Sequence, residues 1–179
     1  EIPKVCAWLE TQALEFPVAV LSAFRIMATE QPQKTALTAA MIAHLVLKPG
    51  AHSTESGKAS LGMRVMEHLI HMFGQDVDAH YWRNARLVLH VFVALAPLGV
   101  VSSASLRRTI KAFVDVLSSD GVSRDVADPA ADCVIEAMCR GGTDLIQPEP
   151  GALEALPSAR EEMDAIVDGI SLYLSLIHI

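Results

Sequence analysis

Apolar residues recur along this chain at intervals of three and four. No stretch shows the strict alternation of a half-buried strand. Trp8, Leu9 and Ala13 mark a first short helix ending near Phe16-Pro17. Val20, Leu21, Phe24, Met27 and Ala28 form the apolar face of a second. It breaks at Gln31-Pro32, because proline disfavours helix at the residue before it. A third spans about 34–47, with Leu37, Ala40, Met41 and Leu45 inward. The segment 48–57, KPGAHSTESG, reads as loop. A fourth helix carries Leu61, Val65, Leu69, Met72 and Phe73, and Gly74 is expected to stop it. A fifth starts near Ala79 and is apolar almost all round from Leu87 to Leu95, as a helix in the middle of a bundle would be. A turn follows at Pro97-Leu98-Gly99.

A sixth helix opens at Ser102 or Ser103, both good N-cap residues. Its core face is Leu106, Ile110, Phe113, Val114 and Leu117, and its outer face is Arg107, Arg108, Lys111 and Asp115. Asp128 as N-cap and Pro129 at the first position start a seventh, which runs through Val134, Ala137 and Met138 to Gly141-Gly142. After an acidic connection at 147–157, Ser158 and Glu161 form a capping box for a last helix. Met163, Ile166, Val167 and Ile170 face inward on it.

The helices pair as 18–47, 58–96 and 103–140. That recurrence of about 40–45 residues is the period of armadillo and HEAT-like repeats. The expected fold is all-α: an α-α superhelix of stacked antiparallel hairpins, forming a single domain over 1–170. Such a stack offers a long surface and rarely a closed catalytic cleft, so an enzyme is not expected. The tail 171–179, SLYLSLIHI, ends like an artefact of conceptual translation and is expected to add nothing to the fold. The chain opens at Glu1, so it is expected to be a fragment, truncated at both ends.

Composition narrows the function classes. Apolar residues make up 51% of the chain and charged residues 20%, which excludes a disordered chain. The longest uncharged apolar run, 87–101, contains His90 and Pro97 and is shorter than the ~18–20 residues of a spanning helix, so no membrane partner is expected. Cys6, Cys133 and Cys139 make no disulfide framework and read as buried free thiols. The net charge of −7 is uneven: residues 120–179 hold three Lys/Arg against twelve Asp/Glu. Such a chain is a poor general binder of nucleic acid, and its acidic half could receive a basic partner.

Candidate chemistry is sparse. His68, His71, Asp76, Asp78 and His80 fall within thirteen residues, and zinc or manganese would need three or four of them to converge. A solvated helix end with a polar loop is the favoured reading, with no metal. The alternative is a metal-binding domain or enzyme built on His68, His71 and His80. No nucleotide-binding glycine motif, nucleophile elbow or other cofactor motif occurs, so no cofactor is expected. Arg107, Arg108 and Lys111, with Arg83 and Arg86 on the preceding helix, form the candidate RNA or partner surface. Trp8 and Trp82 occupy core spacing and Tyr173 lies in the tail, which leaves Tyr81 as the exposed aromatic.

Three stretches carry a family resemblance. They are VAVLSAFRIMATEQPQKTALTAAMIAHLVLK, the run EHLIHMFGQDVDAHYWRNARLVLHVFVALAPLGVVSSASLRRTIKAFVDVLSSD, and CVIEAMCRGG. Over residues 4–146 the chain resembles the first helical domain of the large subunit of a nuclear cap-binding complex of fungal type. That domain is similar to the middle domain of translation initiation factor 4G. The resemblance implies a nuclear scaffold, shuttling to the cytoplasm, that acts in mRNA processing and export. Its partners would be proteins, including a small RNA-recognition subunit held by later domains of the large one. Capped RNA would be reached only indirectly, and no cap-contacting residue carries over. The acidic segment 148–164 departs from the family pattern. A helical scaffold of translation initiation or mRNA decay is the alternative on the same fold.

Overall fold

The computed structural model describes residues 1–48, 59–119, 121–146 and 155–177. Nearly all of the loop expected at 48–57, and most of the acidic connection at 147–157, lie outside them. The described residues form eight α-helices: α1 (Ile2–Glu15), α2 (Pro17–Glu30), α3 (Thr35–Leu47), α4 (Leu61–Asp78), α5 (Trp82–Leu95), α6 (Ser103–Leu117), α7 (Arg124–Gly141) and α8 (Ala155–Ile177). Two short 3₁₀ turns, Pro32–Lys34 and Gly142–Leu145, complete them, and no strand occurs among the described residues. The chain is all-α, and the helix pairs open at Pro17, Leu61 and Ser103, close to the expected hairpin starts. It divides into two compact units, Glu1–Val100 and Val101–Ile179.

In the first unit, α3 packs against α1, α2, α4 and α5. It is accordingly buried on most sides, through Thr38, Ala39, Met41, Ile42, Ala43, Leu45 and Val46. Thr38 is tolerated there because its hydroxyl donates to the Lys34 carbonyl at 3.1 Å. Leu37, expected inward, is exposed instead, in the first turn of α3. α5 is the second enveloped helix: Ala85, Leu87 to Val93 and Leu95 are buried, His90 among them. Phe73 and Phe92 meet edge to face, 5.7 Å between centroids, and help fix α4 on α5.

Proline and serine end and start these helices largely as their chemistry requires. α1 stops before Pro17 and α2 before Pro32. The Ser60 hydroxyl accepts from the Met63 amide at 3.3 Å, and Ser102 accepts from the Ser105 amide at 3.1 Å. Gly99 closes the turn after α5 in the left-handed region, φ 73°. Four boundaries differ from expectation, the first being that α5 begins at Trp82, after a turn at Ala79-His80, and not near Ala79. α4 continues through Gly74 to Asp78, because its last turns still bury Met72 and Asp76. α7 starts at Arg124 with Ser123 as N-cap, which places Asp128 and Pro129 inside the helix. α8 includes Ala155, so Ser158 and Glu161 lie within it and do not cap it.

The second unit is built on α6, which packs against both α7 and α8. Leu106, Ile110, Phe113 and Val114 of α6 are buried, as are Cys133, Val134 and Ala137 of α7 and Met163, Ile166 and Ile170 of α8. Val167, expected inward, is exposed. A Cβ on Gly169 would stand 2.4 Å from Val114 Cγ1, so α6 and α8 approach closely where the glycine sits. α8 runs unbroken through residue 171, and the Tyr173 hydroxyl donates to the Asp128 carboxylate of α7. Burial and that hydrogen bond push the Tyr173 phenol up to about 12. The part of the tail up to Ile177 is therefore continuous with the helix, whereas residues 178–179 lie outside the described ones.

Candidate functional site

The candidate basic residues are divided between the two units. Arg83 and Arg86 belong to the first unit; Arg107, Arg108 and Lys111 belong to the second. Arg83, Arg108 and Lys111 are exposed and Arg86 is half-buried. Arg107 is buried, with 6% exposure, and so is not part of the outer face expected of it. Its Nε donates to Glu162 Oε2 at 2.6 Å and its Nη1 to the Leu145 carbonyl at 2.7 Å. One guanidinium thus ties α6 to α8 and to the end of the 3₁₀ turn that follows α7. Ser103 reinforces the same place by donating to the Asp144 carbonyl at 2.8 Å.

This arrangement gives a first test. Arg107→Met keeps the stem length but removes both charge-assisted bonds and leaves the Leu145 carbonyl without that donor. The expected loss is about 2–3 kcal/mol, read from the urea midpoint. Glu162→Gln should cost under about 1 kcal/mol, because Glu162 is 42% exposed and water screens the pair. Equal losses from the two variants would contradict the carbonyl's part in the latch.

The histidine and aspartate group separates into two sides. Asp76 is buried and His68 half-buried, two turns apart on the inner side of α4, whereas His71, Asp78 and His80 are exposed. Among the described residues, no three His, Cys, Asp or Glu side chains gather as a metal-binding group. The Asp76 carboxylate bonds the Asn84 side chain, and its Oδ2 has no hydrogen-bond partner. Burial raises its pKa, opposed by the Arg25 charge and the Asn84 bond. Burial lowers the His68 pKa, assisted by Arg25 and His71.

The two groups act on stability in opposite directions. The folded state prefers His68 neutral, so its contribution is present above the unfolded value of 6.5 and is lost as pH falls through the folded value. The folded state prefers Asp76 protonated, so its contribution is present below 3.8 and is lost as pH rises through the folded value. At pH 7 the ionised Asp76 therefore costs stability. Asp76→Asn, whose carbonyl can still accept from Asn84, should melt higher than the parent at pH 7. The difference should shrink as the pH approaches 4; a variant less stable than the parent at pH 7 would contradict it.

The thiols divide as well. Cys6 is buried, its Sγ 3.7 Å from the Met41 carbonyl, and burial raises its pKa. Cys133 is buried too, but Cys139, expected in the core, is exposed one turn from the end of α7. Trp8 also departs from expectation: it is 59% exposed on the outer side of α1, while Cys6, Leu9 and Ala13 face inward. Trp82 is half-buried and stacks on His80, and Tyr81 between them is 63% exposed. Tyr81 and Trp82 stand beside the basic residues Arg83 and Arg86 in the sequence; the member of the ring group that was not expected is His80. Its signal was the unbroken run His80-Tyr81-Trp82 ahead of a helix.

No protein-family model matches the chain, and no curated protein matches it closely enough to count as a relative.

Proposed function

We propose that this chain is a protein-interaction scaffold, a helical part of the large subunit of a nuclear cap-binding complex, acting in mRNA processing and export. The observation that carries the scaffold character is the succession of helix pairs 17–47, 61–95 and 103–141, at the spacing of helical-repeat proteins. Proteins of that kind use their length to hold partners. The RNA-processing context comes from the resemblance over residues 4–146. In this reading the protein is nuclear and shuttles to the cytoplasm, works without a cofactor, and reaches capped RNA through a small RNA-recognition subunit bound to other domains.

The test is to tag the parent protein in its own cell and pass the extract over immobilised cap analogue. Retention only together with a small RNA-recognition subunit is the expected result. Recovery in a complex lacking that subunit but containing translation-initiation or decay factors would replace this reading with the alternative scaffold. Retention of the isolated chain by the cap analogue that excess adenosine monophosphate does not compete away would overturn the indirect role.

A further inference from the structure

The corner between α4 and α5 is unlike any other in the described chain. His80, Tyr81, Trp82, Arg83 and Asn84 line an open recess of about 330 Å³. The His80 and Trp82 rings lie nearly parallel, 8° apart in plane and 5.7 Å between centroids, and Tyr81 projects into solvent beside them. His80 is the one non-glycine residue with a left-handed backbone among the described residues, φ 57°. That conformation costs a residue with a Cβ, and it persists only where the surroundings hold it. Here the His80 amide donates to the Val77 carbonyl at 3.1 Å and the Tyr81 amide to the Asp76 carbonyl at 2.7 Å. Asn84, also in the lining, bonds the buried Asp76 carboxylate through its side chain. The backbone is thus held in an unfavourable state that sets an imidazole against an indole at the surface.

We propose that this corner is a stacking site for a nucleobase, with Arg83 taking the adjoining phosphate, so that the first unit binds a nucleotide of single-stranded nucleic acid. Exposed rings accept any base by its π face, and a neighbouring guanidinium supplies the charge that the backbone phosphate needs. The alternative occupant of an aromatic corner, a methylated ammonium, is disfavoured by the same guanidinium, since like charges repel. The inference does not depend on the cap-binding reading: it concerns a direct contact by this chain, whatever its partners are.

The chain has two tryptophans, so Trp8→Phe leaves Trp82 as the single indole reporter. In that background the full chain is titrated with adenosine monophosphate and with an unstructured adenylate RNA decamer. Saturable quenching is expected with both, tighter for the decamer. Tyr81→Ala should weaken binding roughly tenfold, the worth of one stacked base. Arg83→Ala should weaken it and lower the salt slope by about one. His80→Gly should raise the urea midpoint, because strain is relieved, and still weaken binding; a ring with only a structural role would not give that combination. Binding of the mononucleotide alone, with the same sensitivity to Tyr81→Ala and His80→Gly, would keep the nucleobase site and assign a free nucleotide as its ligand. Absence of saturable quenching with either ligand at millimolar concentration, or affinities unchanged by Tyr81→Ala and His80→Gly, would overturn the proposal.

Discussion

Phe113→Ala is expected to lower the unfolding free energy by about 3–5 kcal/mol, the cost of deleting a buried aromatic ring and leaving its cavity. Phe113 is 5% exposed on the inner face of α6, the helix on which both α7 and α8 pack. The loss would therefore be felt by every helix of the second unit. Arg108→Ala, on the outer face of the same helix, should cost under about 0.5 kcal/mol. Urea unfolding of the two variants decides the matter, and comparable losses would mean that α6 is not amphipathic in the sense described.

The second large effect belongs to Gly62. A Cβ there would stand 2.6 Å from the Leu45 carbonyl carbon and 2.7 Å from the Val46 amide nitrogen. These atoms are main chain in the last turn of α3 and cannot rotate away. Gly62→Val should therefore force α3 and α4 apart and cost about 3 kcal/mol or more, at the upper end of overpacking effects. Gly74 provides the control on the same helix, since a Cβ there meets nothing within 4 Å. Gly74→Ala should stabilise by about 0.5–1 kcal/mol, through the reduced freedom of the unfolded chain and better helix propensity. A Gly62→Val variant as stable as the parent would show that the two helices are not in backbone contact.

Most of the helical plan was legible because it rests on local rules. Pro17, Pro32, Ser102 and the Gly141-Gly142 pair act within a few residues of themselves, and periodicity finds faces such as Leu106, Ile110 and Phe113. What was not legible depends on distant partners. Arg107 looks like an outward cation beside Arg108, yet it is buried because Glu162 and the Leu145 carbonyl, 55 and 38 residues away, satisfy it. Asp128-Pro129 has the form of a helix start. The real start lies at Ser123, and α7 tolerates the proline inside it while Asp128 serves Tyr173, 45 residues on. Of the candidate basic surface, Arg83, Arg108 and Lys111 were placed outside correctly, but no local pattern could reveal that these residues belong to two separate units. The histidine and aspartate group was dense in sequence only, because a helix turns its neighbours to opposite sides.

The proline inside α7 also bears on how the second unit opens. Pro129 has no amide hydrogen, so the Asp125 carbonyl lacks the bond that would stitch the first turn of α7 to the next. Residues 124–128 can then unwind without disturbing 130–141, a local opening far cheaper than global unfolding. The Tyr173 hydroxyl holds Asp128, which sits on that unlatched turn. Amide hydrogens in this turn should exchange with solvent faster than those further along α7. Anything that draws the end of α8 away would accelerate them, making the exchange rate of one turn a sensor of the position of another helix.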